Sequence, residues 1–198
     1  MFSPERFPVA EAYAHSLATA GVERGLIGPR EVPRLWERHL LNCAVVTDAV
    51  PEGASVADVG SGAGLPGVVM AIRRPDLRVT LIEPLLRRAT YLEEVAGELG
   101  LDNVTVLRSR AEDAVAAGGF DVVTSRAVAA LDKLARWCMP LVAVGGEMLA
   151  MKGERAPDEI VAARKVLRQW SAGDAEVVVV GDTVLYPPTT LVRVVRTK

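Results

Sequence analysis

Beyond about fifty N-terminal residues, the chain alternates short β-branched runs with segments whose apolar positions recur every three or four residues. SVADVG, LRVTLIE, VTVLRS, FDVVTS and GGEMLAMK are the strand-like runs. A helical pattern follows the first three: after Leu65, over residues 84–99, and briefly near Glu112. This rhythm predicts βαβ units and a parallel sheet, an α/β fold. The helix over 84–99 is the best specified. Leu85, Ala89, Leu92, Ala96 and Leu99 make its stripe, Pro84 suits its first turn and Gly100 its end.

The two ends of the chain depart from this rhythm. The N-terminal part reads as two helices, residues 9–27 and 31–50, separated by Gly28-Pro29 and closed by Pro51-Glu52-Gly53. At the other end, AEVVVVGD and TLVRVVRTK are strands joined by TVLYPPT, too short for a helical crossover. They should pair antiparallel at or near a sheet edge. A mostly parallel sheet with such a terminal hairpin resembles the Rossmann-like class I methyltransferases that use S-adenosylmethionine. The expected organisation is one domain over 1–198, with a helical lead-in (1–53) and a Rossmann-like core (54–198).

Composition narrows the partners. The chain has 198 residues, half of them apolar, with 23 Lys+Arg against 25 Asp+Glu. That balance exerts no general pull on a polyanion, so any nucleic-acid contact needs a local basic patch. Cys43 and Cys138 lie far apart in helical patterns, which suits neither a disulfide framework nor a metal cluster. Glu5, Arg6 and Glu11 interrupt the region where a secretory peptide needs an apolar run, and no stretch approaches a membrane span. These features point to a cytoplasmic protein without a metal, and a monomer is the expectation.

The candidate chemistry centres on DVGSGAGLPG at residues 58–67. Gly62, Gly64 and Gly67 form a formal G-x-G-x-x-G, but the strand exits at Gly60, so the run reads D-x-G-x-G-x-G with Asp58 ahead of it. Clustered glycines let the backbone turn sharply and a ligand approach closely. A carboxylate at Asp58 would repel a pyrophosphate but can help hold an ammonium, and Pro66 removes an N–H that a phosphate would use. Glu83 ends the second strand about twenty positions later, where a carboxylate can accept both ribose hydroxyls of an adenosine. Ala111-Glu112-Asp113 sit where backbone and side chains could read an adenine edge.

Other residues limit the reaction. After the fourth strand stands Ser125-Arg126-Ala127, not the [NDS]-P-P-[YF] used to methylate exocyclic amines, and Pro187-Pro188 falls between the last strands. Cys138 reads as a small buried hydrophobe, not a nucleophile. Arg126 suits an RNA phosphate or a cofactor carboxylate. His39 shares a stripe with Leu35, Trp36 and Cys43, and a core role and a site role both remain open. Arg34 and Arg38 fall on the opposite side. Lys152, Arg87 and Arg88, with Arg126, could hold phosphates around an extruded base. Arg73-Arg74 and Arg164-Lys165 read as solvated helix faces.

ERHLLN (37–42), DVGSGAGLPG (58–67), RAED (110–113), TSRAVA (124–129) and MKG (151–153) together resemble the small-subunit ribosomal RNA guanine-N7 methyltransferases, the glucose-inhibited division protein B (RsmG/GidB) family. The resemblance implies S-adenosylmethionine bound near Gly60, Leu65, Ala111, Glu112 and Arg126. It also implies methyl transfer to N7 of a guanine near the decoding site of 16S rRNA, in the small ribosomal subunit, with an effect on streptomycin sensitivity. Asn42-Cys43 departs from the Asp-Ser of many relatives, which removes an ionic role at position 42. Asp58, Gly60, Gly62, Gly64, Leu65, Glu83, Ala111, Glu112 and Arg126 are the expected cofactor residues. Arg126, His39 and Lys152 are candidates for positioning, and Arg38, Arg87, Arg88, Arg126 and Lys152 for RNA contact. Two other readings are a small-molecule methyltransferase and an RNA-binding module that keeps cofactor affinity without turnover.

Overall fold

The structure is a computed structural model that describes residues 1–126, 129–170 and 174–198. Ala127 and Val128 of the TSRAVA run lie outside the described residues. Seven strands form one sheet in the order β3-β2-β1-β4-β5-β7-β6. They are β1 (Ser55–Val59), β2 (Arg78–Ile82), β3 (Val104–Leu107), β4 (Phe120–Arg126), β5 (Val142–Lys152), β6 (Glu176–Val180) and β7 (Thr189–Val195). The first five pair in parallel; β7 runs antiparallel between β5 and β6. The α/β pattern and the terminal hairpin are therefore both present.

Four helices follow the expected rhythm: α3 (Gly67–Arg73), α4 (Leu86–Glu98), α5 (Leu131–Cys138) and α6 (Ala156–Leu167). One core joins the N-terminal segment, α3 and α4 on one side of the sheet. The other joins α5 and α6 on the opposite side. Central strands are buried on both faces, which explains their continuous apolar runs. Cys138 is fully buried in the second core. In α4 the buried face is Ala89, Tyr91, Leu92 and Val95, while Leu85 precedes the helix and is exposed. Its end is as expected, with Gly100 at φ 61° just past the C-cap. The expected helix near Glu112 is instead a turn followed by a short 3₁₀ turn, Val115–Ala117.

The lead-in corrects the sequence reading more. Helix α1 (Phe7–Ser16) gives way to a π turn, Leu17–Gly21. The second segment is broken into a 3₁₀ turn (Pro29–Arg34), a π turn (Leu35–Leu40), α2 (Leu41–Ala44) and a 3₁₀ turn (Val45–Ala49). Pro33, inside this segment, has no N–H to continue an α-helical ladder. Arg73 and Arg74 are not merely solvated. Arg73 pairs with Asp48 at 2.7 Å, and Arg74 reaches the carbonyls of Thr47, Val50 and Pro51 at 3.3–3.4 Å. They fasten the end of the lead-in to α3.

Topology now collects the site. The loop after β1, Glu83 after β2, Arg126 ending β4 and Lys152 ending β5 all lie at the C-terminal edge of the parallel strands, where open α/β sheets bind ligands.

Candidate functional site

Gly60, Gly62 and Gly64 have φ of 71°, 60° and 97°, a region that L side chains rarely adopt. The loop they form is fixed from below and from behind. Gly60 donates its N–H to the Ile82 carbonyl at 2.8 Å, and Tyr13 of α1 donates its hydroxyl to the Ala63 carbonyl at 2.7 Å. Gly60, Gly62 and Leu65 line a cavity of about 810 Å³. Gly64 lies outside that lining. Its missing side chain leaves room for Val68 and Tyr13, whose atoms would stand 2.4 and 2.8 Å from a Cβ.

Asp58 lies beneath the loop, fully buried and also outside the lining. Its Oδ2 accepts the N–H of Gly67, the first residue of α3, at 2.9 Å. Its Oδ1 is buried without a hydrogen-bond partner. Burial pushes the carboxyl up to about 7, against the opposing pull of the Gly67 N–H and the Ser61 hydroxyl. The carboxylate thus holds the helix N-terminus where an anion would otherwise sit.

Glu83 is buried at the cavity wall. Oε2 accepts the Gly62 N–H at 2.9 Å and Oε1 the Leu85 N–H at 3.0 Å, so the carboxylate ties the glycine loop to the entry of α4. Each oxygen retains acceptor capacity toward the cavity. Arg88 lines the same cavity, with Nη1 3.8 Å from Glu83. Arg87 is exposed and faces neither cavity described here. Ala111 is buried and Glu112 exposed in the turn after β3, and neither lines the cavity.

At the end of β4, Ser125 donates its hydroxyl to the Val59 carbonyl at 2.7 Å, locking β4 against β1. Arg126 then meets the broken second segment, donating to the Cys43 sulfur at 3.2 Å and to Nδ1 of His39. A guanidinium only donates, so Nδ1 must accept. This leaves Nε2–H to donate to Glu31 at 2.8 Å. His39 is therefore the neutral Nε2–H tautomer. Burial lowers its pKa, Arg126 adds to the effect and Glu31 opposes it. Burial also lifts the Cys43 thiol to about 11.

Arg38 and Arg126 border both the first cavity and a second one of about 1140 Å³. Lys152 lines the second, but its Nζ is held by Glu159 at 2.8 Å and by the Ala129 carbonyl at 2.7 Å. Asn42 has a structural place. Its amide caps the Glu37 and Arg38 carbonyls, and its Oδ1 accepts the Thr189 hydroxyl at 2.8 Å. Sequence reasoning missed Tyr13, Glu31 and Tyr186. Only Tyr186 carried a signal, as an aromatic beside two prolines in a loop. Among the described residues no His/Cys/Asp/Glu group could hold a metal ion, and no helix is long and apolar enough to cross a membrane.

A family model described as GidB, rRNA small subunit methyltransferase G, matches residues 7–184. A ribosomal RNA small subunit methyltransferase G from Rhodococcus jostii is 60% identical over 195 residues, 97% of this chain and 86% of its own length. Its counterpart from Pseudarthrobacter chlorophenolicus is 56% identical over 194 residues, 98% and 90% of the two chains. A solved SAM-dependent O-methyltransferase from Thermotoga maritima superposes with a TM-score of 0.57 at 16% identity, covering 85% of this chain and 71% of its own. That likeness is one of fold, the class I methyltransferase sheet.

Proposed function

The chain belongs to the rRNA small subunit methyltransferase G family, and from that premise we propose that it moves the methyl group of S-adenosylmethionine to N7 of a guanine in the decoding-region loop of 16S rRNA. S-adenosylhomocysteine is the second product. Methylation of ribosomal RNA is what the family's name states; the nucleobase, the atom and the residue roles are our reading. In this reading the chain works in the cytoplasm as a monomer on the small ribosomal subunit.

The observation that carries the cofactor assignment is the bond from the Gly67 N–H to Asp58. It closes the helix N-terminus to a phosphate and sets a carboxylate there instead. An adenosine without phosphates fits what remains. Glu83 has acceptor capacity for the ribose hydroxyls, Gly60 and Gly62 supply a wall without bulk beside Leu65, and Asp58 acts from beneath the loop by holding the Gly67 N–H. Gly64 acts by packing. Ala111 and Glu112 would contribute only by closing the adenine edge from the turn after β3.

When bound, S-adenosylmethionine supplies a sulfonium methyl group. N7 of guanine carries an in-plane lone pair and no proton, so the protein needs to align it and need not deprotonate it. The residues agree with that division of labour. Both ring nitrogens of neutral His39 are engaged, burial keeps Cys43 a thiol, and burial raises the Cys138 thiol too. N7 methylation makes guanine cationic, and tethering Arg126 to His39 and Cys43 keeps that charge from the ring face while leaving it at the junction of the cavities. His39 is then a positioning residue for Arg126. Alignment of this kind is worth several orders of magnitude in rate.

Labelled S-adenosylmethionine incubated with small-subunit particles should mark one guanine, at a site that becomes cleavable by the strand-scission chemistry specific to N7-methylguanine. Label at another atom, or only in small molecules, would overturn the reading. Glu83→Gln should weaken S-adenosylhomocysteine binding by about 10-fold or more, the scale of a charged hydrogen bond. Unchanged affinity in calorimetry would remove Glu83 from the site.

A further inference from the structure

Tyr186 is 98% exposed, more than any other large apolar side chain among the described residues. It stands in the β6–β7 loop on the rim of the second cavity. Folding gains nothing from an aromatic ring left in water, yet the loop presenting it is well anchored. The N–H groups of Val184 and Leu185 both donate to the Gly181 carbonyl, at 3.0 and 2.8 Å. Leu185 packs against the first core. Gly181 approaches Val45 so closely that a Cβ would lie 2.7 Å from Cγ1, and Thr189 at the loop's end bonds to Asn42. The ring is therefore displayed from a fixed base.

Charge and continuity say what it is displayed to. Arg34 and Arg38 are exposed and face this cavity from the N-terminal segment, while Lys152 is neutralised by Glu159. Glu37 and Glu154 also border it, so the field is mixed, and stacking has more to offer here than phosphate attraction. Arg126 connects the cavity to the proposed methyl-donor site. Unstacked bases are held in this way, on an aromatic face with guanidinium groups nearby.

We propose that the second cavity is the seat of the acceptor RNA strand, in which Tyr186 stacks on an unpaired base next to the methylated nucleotide and Arg34 and Arg38 meet its phosphates. The proposal rests on the rRNA reading above for the identity of the strand. It makes Tyr186 a positioning residue.

The test uses the full chain as wild type, Tyr186→Ala and Tyr186→Trp. A short single-stranded oligoribonucleotide carrying 2-aminopurine, whose fluorescence is quenched by stacking, should bind wild type and Tyr186→Trp with quenching. Tyr186→Ala should bind about 10-fold more weakly and without it. S-adenosylhomocysteine affinity should not change. On small-subunit particles Tyr186→Ala should raise KM more than it lowers kcat. Equal affinity and quenching for wild type and Tyr186→Ala would overturn the proposal, as would failure of the wild type to bind the oligonucleotide. A Tyr186-dependent quench in a protein that methylates no rRNA would sustain the stacking site and sink the function proposed above. Contact of the cavity with a ribosomal protein instead would appear as a raised particle KM with oligonucleotide binding unchanged, which also overturns it.

Discussion

A methyl group at position 67 would stand 2.3 Å from Leu81 Cδ2 and 2.8 Å from Asp58 Oδ2. Neither strand β2 nor the capping carboxylate can move far, so Gly67→Ala should cost about 1–3 kcal/mol and lower Tm by several degrees, read by thermal unfolding. The sequence shows Gly67 as the last member of a glycine motif, and close helix–strand contact is the usual use of that position. What it cannot show is that Asp58 takes the N–H thus brought near. Burial of that carboxyl, which outweighs the bond, sets a second prediction. The Asp58 carboxyl is pushed up to about 7 in the folded chain, against about 4 when unfolded. Between those values the folded state holds a proton that the unfolded state has released, so stability falls as pH rises through this window. Asp58→Asn should flatten that part of the Tm profile between pH 4.5 and 8, and a variant profile parallel to the wild type's would contradict it.

The elements divide into those with a repeating physical cause and those without. Strands buried on both faces impose short continuous β-branched apolar runs, and crossover helices with one apolar face impose a period of 3.6, so β1 to β5 and their main helices are legible. The lead-in imposes no such constraint. Its apolar residues pack on α3 and α4 through short 3₁₀ and π turns, whose side-chain spacing differs from a helix by a residue here and there, so it reads as two helices. That difference matters, because the π turn Leu35–Leu40 carries both Arg38 and His39 to the cavities. Its hold on the hairpin is Asn42, which caps two of its carbonyls and accepts from Thr189. Asn42→Ala should leave the Thr189 hydroxyl without that partner and cost about 1 kcal/mol. The loss should appear as faster amide hydrogen exchange in β6 and the Gly181 turn, with the exchange of β1 and β2 unchanged.

At the scale of the molecule, one sheet edge gathers groups from distant parts of the sequence, and the charge they present is smaller than the residue types suggest. Lys152 answers to Glu159, Arg126 to His39 and Cys43, and Arg38 stands 3.5 Å from Glu31. Pairing of this kind has no signature in the chain, because Glu159 and Glu31 are indistinguishable from solvated carboxylates until the fold closes. With a formal net charge of −2, no long-range field makes up the difference. About one or two phosphates can then be neutralised in the proposed acceptor cavity. For single strands that gives a slope of log affinity against log salt of about −1 to −2. Titrations of a short oligoribonucleotide between about 50 and 300 mM salt measure it, and a slope steeper than about −4 would mean that more phosphates are neutralised than this cavity can meet. The same arithmetic bears on the natural substrate. A chain that gains so little from phosphates must gain its discrimination from shape and stacking, which a folded particle holds in place and a free transcript does not. Methylation should therefore run at least about 10-fold faster, by kcat/KM, on assembled small subunits than on naked 16S rRNA, and equal rates would mean that the local strand alone carries recognition.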